Sequence, residues 1–325
     1  MAKFIKYPSI DQFRNIVKQV KDTCKYHETA LPVLTFTGTV KLHGTNAAIC
    51  FNTETEELWV QSRNNVITPE EDNAGFANYI ESNKTTITSL VNNYCDKSNL
   101  NGIVSLFGEW CGGNIQKSIA LSQLDKMFII FGIKYNEEWL NIPKYLVDSE
   151  IRLFNIKQFP TININIDFSN PQESINLLTQ LTEEVENECP VGKFFGVSGI
   201  GEGIVWESLY RNSVLRFKVK GEKHSISKVK KLVSIDPEKL KSITEFVEYA
   251  VTNNRLSQCI EQLFISPNKE PDIKEIGSVI KWVMQDIAKE ETDVLIESNL
   301  IMKDITKLAT NKIRNWFIQY LDKSM

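Results

Sequence analysis

A change of hydrophobic period divides this chain. Up to about residue 220, apolar residues recur mainly at every second position. Beyond Asp236-Pro237 they recur every three or four. Period two lets a strand turn one face to a core, and period 3.6 does the same for a helix. Glycine follows the same division: of the 15 glycines, Gly277 alone lies beyond the change. The pattern predicts strands at 34–42, 47–51, 58–62, 103–107, 127–135, 204–210 and 214–220. Helices are expected over 10–20, with Ser9 as N-cap, and over 174–185. Strand runs with interspersed helices and little regular alternation imply α+β, with antiparallel sheets.

Beyond the change, Leu240, Ile243, Val247 and Val251 form one helical stripe. Ile276, Val279, Ile280, Val283 and Ile287 form another, and Pro267 and Pro271 bracket the loop before it. Ile301, Ile305 and Leu308 begin a third, and Ile313, Trp316, Phe317, Tyr320 and Leu321 close the chain. The expected organisation is a strand-rich domain over 1–236 and an all-α C-terminal domain over 237–325, the latter of a size compatible with independent folding.

The formal net charge of −4 does not announce a nucleic-acid binder, so any basic surface must be local. No apolar run reaches the ~18 residues of a membrane span, and the first residues lack a signal-peptide apolar core. Cys24, Cys50, Cys95, Cys111, Cys189 and Cys259 include no C-x-x-C pair, and the three histidines lie far apart. Neither a zinc site nor a disulfide framework is expected. A cytoplasmic, monomeric protein with reduced thiols is expected, in a cell or in a virus-infected host.

Lys41 ends the first strand run. Leu34, Phe36, Gly38, Val40 and Leu42 share one face, and Thr35, Thr37, Thr39 and Lys41 share the other. Gly44 then breaks the strand, and Thr45 and Asn46 supply polar turn atoms. A lone amine at such a junction is a seat for a nucleophile if other groups lower its pKa from about 10.4. In the run 214–220, Arg216, Lys218 and Lys220 alternate with Leu215, Phe217 and Val219. Lys223, Lys228, Lys230 and Lys231 follow. Two readings stand: a solvated outer strand, or a strand whose aligned cations neutralise a polyphosphate. Gly199-Ile200-Gly201-Glu202-Gly203 is neither G-x-G-x-x-G nor a P-loop; it sets an acid at the lip of a strand. Glu109, in Phe107-Gly108-Glu109-Trp110, does the same. Phe131 lies in an almost wholly apolar strand and is either a core side chain or a platform for a base.

The order of these segments is more specific than any one of them. Lys41-x-His43-Gly44, Ser62-Arg63, Phe107-Gly108-Glu109, Phe131, Glu202-Gly203-Ile204-Val205 and Lys218-x-Lys220 resemble the ordered signature of covalent nucleotidyltransferases. Within that superfamily the chain is similar to the ATP-dependent RNA ligases of the branch holding the phage RNA ligase 2 and the kinetoplastid RNA-editing ligases. Lys41 near the start, His43-Gly44 where DNA ligases usually have Asp-Gly, the opening Phe4-Ile5-Lys6-Tyr7-Pro8, the helical tail and Thr252-Asn253-Asn254-Arg255-Leu256 carry that likeness. It implies a nucleotidyltransferase domain of the ATP-grasp-like ligase adenylylation type, built of antiparallel sheets with helices.

The resemblance implies that Lys41 attacks the α-phosphorus of ATP, that AMP passes to an RNA 5′-phosphate, and that a 3′-hydroxyl then seals the strand. Lys218 and Lys220 would contact the α-phosphate and lower the pKa of Lys41. Arg63 and Glu109 would hold the ribose, Phe131 would stack on adenine, and Val40 and Leu42 would offer backbone contacts to the base edge. Thr45 and Asn46 would line the pocket. Glu202 would act near Lys41 and near a magnesium or manganese ion. His43 would hold a position beside the loop. Trp110, Cys111 and Gly112-Gly113 would shape the wall. Two departures stand out: Gly132 follows Phe131 where the phage enzyme has Asp, and Ser62 replaces a basic residue before the arginine. The substrate implied is RNA with 3′-OH and 5′-phosphate ends, at nicks in duplex RNA, with the helical tail docking RNA. A GTP-dependent mRNA guanylyltransferase, a DNA ligase and a non-catalytic RNA-binding module are the alternatives.

Overall fold

The computed structural model describes residues 2–113, 115–116, 119–221, 243–265 and 269–324. Two compact units divide the chain: Met1–Ser169 with Gln180–Val219, and Asn170–Thr179 with Lys220–Met325. The expected boundary at Asp236-Pro237 lies outside the described residues, as do Leu240, Pro267 and the lysines at 223, 228, 230 and 231.

The first unit is α+β, with two sheets. The strands are β1 (Val33–Lys41), β2 (Thr45–Asn52), β3 (Glu57–Ser62), β4 (Val66–Ile67), β5 (Ile103–Cys111), β6 (Met127–Tyr135), β7 (Glu138–Leu140), β8 (Leu153–Asn155), β9 (Thr161–Asp167), β10 (Gly203–Tyr210) and β11 (Ser213–Lys220). The four-stranded sheet has the order β11-β10-β1-β9. The seven-stranded sheet runs β4-β3-β2-β5-β6-β7, with β8 pairing β6. The pairing is antiparallel throughout β1–β9, β1–β10 and β2–β5, and parallel between β6 and β8.

The seven predicted strands all form, with ends moved by up to four residues. In β1 the predicted alternation holds: Phe36, Gly38 and Val40 are buried, and Thr37, Thr39 and Lys41 are partly exposed. β9 was not expected, although Thr161-Ile162-Asn163-Ile164-Asn165-Ile166-Asp167 alternates without a fault. The short β4, β7 and β8 escaped the periodicity because two or three residues cannot establish a period.

The helices of this part are α1 (Phe13–Tyr26), α2 (Phe76–Ser82), α3 (Lys84–Lys97), α4 (Gln172–Asn187) and α5 (Pro190–Phe194). The expected start of α1 at residue 10, capped by Ser9, is wrong. Asp11 donates its N–H to Arg216 O at 3.3 Å and accepts from Lys218 N at 2.9 Å, so its backbone belongs to a bridge with β11. The helix therefore begins at Phe13, with Gln12 in the N-cap position and no side-chain cap bond. Phe76, Ile80, Ile87 and Val91 from α2 and α3 pack on one face of the seven-stranded sheet, with Ile49, Phe51, Leu106 and Phe128. Tyr7 packs on the other face with Ala48, Cys50, Trp59 and Phe107.

The second unit is helical where described. It contains α6 (Ile243–Ala250), α7 (Asn253–Ile260), α8 (Ile276–Glu290), α9 (Thr292–Glu297) and α10 (Met302–Ser324). Its core holds Phe246, Val247, Val279, Val283, Ile287, Ile305, Ile313 and Phe317. The third expected stripe is corrected: Ile301 precedes α10 and is 62% exposed, Leu308 is 38% exposed, and Ala309 takes the inward position. Arg255, wholly buried, donates to Asp286 Oδ2 at 2.8 Å and to Glu291 Oε1 at 2.9 Å. Tyr249 donates to Glu291 Oε2 at 2.7 Å. All six cysteines are free and buried. No helix among the described residues is long and apolar enough to cross a membrane.

Candidate active site

Lys41 is the last residue of β1, directly opposite Gly203, the first residue of β10. That pairing sets Glu202, just before β10, beside the end of β1. Lys41 Nζ donates to Glu202 Oε2 at 2.7 Å across 161 residues of sequence. The same oxygen lies 2.9 Å from His43 Nδ1. Glu202 is 2% exposed, so one buried carboxylate oxygen is shared by an amine and an imidazole. Burying a carboxylate is costly unless it is paired, and these partners meet that need. His43 therefore stands beside the loop, on the same carboxylate as Lys41.

The second carboxylate reaches the same place from the other sheet. Glu109 on β5 stands opposite Asn46 on β2. Its Oε1 accepts from Gly44 N at 3.0 Å. The residue is partly exposed while its carboxyl is enclosed, and burial raises its pKa from 4.5 to about 7. The Lys41 charge opposes the shift, and the Glu202 charge adds to it. Gly44 is a requirement of space. A Cβ there would meet Trp110 O at 2.3 Å and Cys111 Cβ at 2.7 Å. The close approach of the Lys41–Gly44 loop to the end of β5 is what lets Glu109 reach its N–H. Gln116 Nε2 donates to Gly44 O at 3.1 Å and holds the loop from a second side.

The other expected residues fall as follows. Val40 and Leu42 have buried side chains, which leaves only their backbone for outside contacts. Thr45 Oγ1 accepts from Asn73 Nδ2 at 2.9 Å. Arg63 follows β3, where Ser62 N donates to Asn65 O at 2.8 Å to close a turn. Arg216, Lys218 and Lys220 are all partly exposed on the non-core face of β11, as the alternation predicts. Arg216 is spent on structure. Its Nε donates to Glu207 Oε2 at 2.8 Å, and its guanidinium lies 5.6 Å from the Tyr7 ring centre and 5.1 Å from that of Trp139.

Phe131 owes its direction to a bulge. Phe107 pairs with Gly132 and Gly108 with Ile130, so Phe131 is the extra residue of β6. Bulges re-aim a side chain and cluster beside active sites. The Tyr7 ring meets Phe131 edge-on, with centres 5.2 Å apart. Gly132 in place of an aspartate also has a steric reason: a Cβ would stand 3.2 Å from the Trp139 ring. No group of three or more His, Cys, Asp and Glu among the described residues is placed to hold a metal ion by itself.

Comparison with known proteins identifies the family. A family model described as RNA ligase matches residues 34–230, more than half of the chain. The chain belongs to the RNA ligase family. Among solved structures it is similar to the Naegleria gruberi RNA ligase with PPi, at 19% identity and a TM-score of 0.45, over 68% of this chain and 57% of that one. A lysine-to-alanine mutant of that ligase with ATP and Mn gives 18% identity, the same score and the same coverage. The chain thus spans 57% of the length of these structures. No curated protein matches.

Three contributors to the site of this RNA ligase family member escaped the sequence reading. Gln116 supports the loop and is 3% exposed. Tyr7 backs Phe131. Gln61 ties down the segment before Tyr7: Ile5 N donates to Gln61 Oε1 at 3.0 Å, and Gln61 Nε2 donates to Ile5 O. Gln61 follows the apolar run Leu58-Trp59-Val60 of β3, Tyr7 lies in the opening segment that carries the family likeness, and no local pattern marks Gln116.

Proposed function

We propose that the chain is an ATP-dependent RNA ligase that joins RNA 3′-OH and 5′-phosphate ends through lysyl-AMP and RNA-adenylate. The observation that carries this reading is the Lys41–Glu202 contact of 2.7 Å at the joined ends of β1 and β10. A strand-end amine is held in a fixed place, two carboxylates converge on its loop, and Lys218 and Lys220 occupy the same face of the sheet on β11. These residues suit a nucleotide. In the first step a bond forms between Lys41 Nζ and the α-phosphorus. The bond from that phosphorus to the bridging oxygen breaks, and pyrophosphate leaves. Glu202 Oε2 is within reach to accept the ammonium proton. Lys218 and Lys220 offset charge growing on the phosphates. Next, a 5′-phosphate oxygen displaces Lys41 and takes AMP. A 3′-hydroxyl then attacks the 5′-phosphorus, AMP leaves, and the hydroxyl proton is lost.

Phe131 supplies a face for adenine, Arg63 and Glu109 bind the ribose, and Val40, Leu42, Thr45 and Asn46 line the base and sugar. A magnesium or manganese ion would be held together with the nucleotide. Such an ion is bound through one or two carboxylates plus substrate phosphates, and Glu202 is the carboxylate beside the nucleophile. The ion supplies charge compensation on the leaving pyrophosphate. The helical unit docks RNA, and nicked duplex RNA, read by shape and 2′-hydroxyl contacts, is the preferred substrate.

Incubation with labelled ATP or GTP and magnesium tests the reading. A covalent AMP adduct that is lost in Lys41→Ala, followed by sealing of nicked RNA, is the expected result. A GMP adduct would make the chain a guanylyltransferase, and no adduct would leave a binding module. Sealing of nicked DNA in preference to RNA would make it a DNA ligase. Removal of the chain beyond residue 236 is expected to spare adduct formation and reduce sealing.

A further inference from the structure

The face of β1 that carries Lys41 continues away from it as a ladder of uncharged polar pairs. Register places Thr39 opposite Thr161, Thr37 opposite Asn163 and Thr35 opposite Asn165, all between β1 and the edge strand β9. Thr35 Oγ1 donates to Asn165 Oδ1 at 2.8 Å, and Thr37 Oγ1 donates to Asn163 Oδ1 at 2.8 Å. Each amide oxygen is therefore occupied, and each Nδ2 is left outward with two N–H donors. Among the described residues neither nitrogen has a partner. Thr35, Thr161, Asn163 and Asn165 are exposed. Residues on one strand face recur every ~6.7 Å, so the ladder extends ~20 Å from Lys41 to Thr35.

The two Thr–Asn hydrogen bonds tie β9 to β1, but that tie does not require amide nitrogens facing outward. Asn is disfavoured in strands, and an edge strand is ordinarily blunted by lysine or proline. β9 has neither, and it spends three outward positions on Asn163, Asn165 and Asp167. A protein of net charge −4 that must approach a polyanion needs local donors. Asn and Thr side chains commonly position nucleic-acid backbones through phosphate and sugar oxygens. The array is also continuous with the nucleophile along a single strand.

We propose that the Thr–Asn ladder of β1 and β9 is a docking track for the phosphate–ribose backbone of the RNA strand that leads to Lys41. The proposal rests on the ligase reading above. Binding by uncharged donors holds a strand in register with little of the counterion release that a lysine-rich groove produces.

The test uses the full chain and a nicked duplex RNA, with binding read by anisotropy and adduct formation read separately with labelled ATP. Asn163→Asp with Asn165→Asp keeps the Thr-accepting oxygens and replaces the outward donors with charge. Expected are adduct formation at the parental rate and RNA binding weakened about tenfold or more by like-charge repulsion. Asn163→Lys is expected to tighten binding and to steepen the dependence of log K on log salt by about 0.7–0.9. Unchanged RNA affinity in the Asp double variant, or a Lys variant with unaltered affinity and salt slope, would overturn the proposal. Failure of the parent chain to form an adduct overturns the ligase reading instead. The binding measurements do not depend on that step, so the two failures are distinguishable.

Discussion

Substituting Gly44 with alanine should damage stability and chemistry together. The added methyl would stand 2.3 Å from Trp110 O and 2.7 Å from Cys111 Cβ, where ordinary contact begins at 3.4 Å. About 1 Å of separation must open between the loop and β5, and overpacking of this kind costs about 1–3 kcal/mol. The same movement lengthens the bond from Gly44 N to Glu109, and a hydrogen bond to a charged group is worth about 1.5–3 kcal/mol. The two costs share one displacement and do not add fully, so we expect about 2–4 kcal/mol in total. For a unit of this size that lowers Tm by about 5–15 °C. Because Lys41 lies three residues away, the shift also moves the amine, and a misplacement of about 1 Å can slow a reaction ~100-fold. Differential scanning fluorimetry reads the first effect, and the rate of labelled AMP transfer to protein reads the second. Wild-type Tm together with a wild-type transfer rate would refute the claim that this glycine sets the distance between Lys41 and Glu109.

Glu109 gives the first strand-rich unit a pH signature. Burial raises its pKa in the fold from 4.5 to about 7, so its contribution to stability is full below about pH 4.5 and is lost as pH rises through 7. Glu109→Gln should therefore gain stability relative to wild type between pH 5 and 8, by on the order of 2–3 kcal/mol. A Tm difference that stays flat across this range would contradict it. In the helical unit, Arg255→Met leaves Glu291 buried without its cation, which costs about 3–5 kcal/mol. Urea unfolding followed by circular dichroism should show that loss, and a cost below about 1 kcal/mol would mean that the pair is dispensable. Phe131→Ala should raise the KM for ATP roughly 10–100-fold, in line with stacking on an aromatic ring. An unchanged KM in adduct formation would remove Phe131 from the base pocket.

Much of the fold was legible in local pattern. Alternation in 34–42 and 214–220 assigned strands and the faces of Lys41 and Lys218, because period two is a property of a few consecutive residues. The shift to period 3.6 marked the helical unit in the same way. Ser9 misled because a good N-cap residue is only a local preference, whereas Asp11 was claimed by a distant strand. β9 carries the same period of two over 161–167 and is legible in the same way. The site residues were nameable one by one, through their order along the chain, but their relations were not.

Sequence alone determined which residue types were available and which face of its own strand each one takes. Tertiary structure decided which of them meet. Lys41 and Glu202 touch only because β1 and β10 pair in the register that sets Lys41 against Gly203. Glu109 joins them only because Gly44 lets the loop close onto β5. Phe131 faces as it does because one extra residue sits in β6. Each of these is a contact between segments far apart in the chain, and its geometry depends on pairing register and steric fit, neither of which has a local period to betray it.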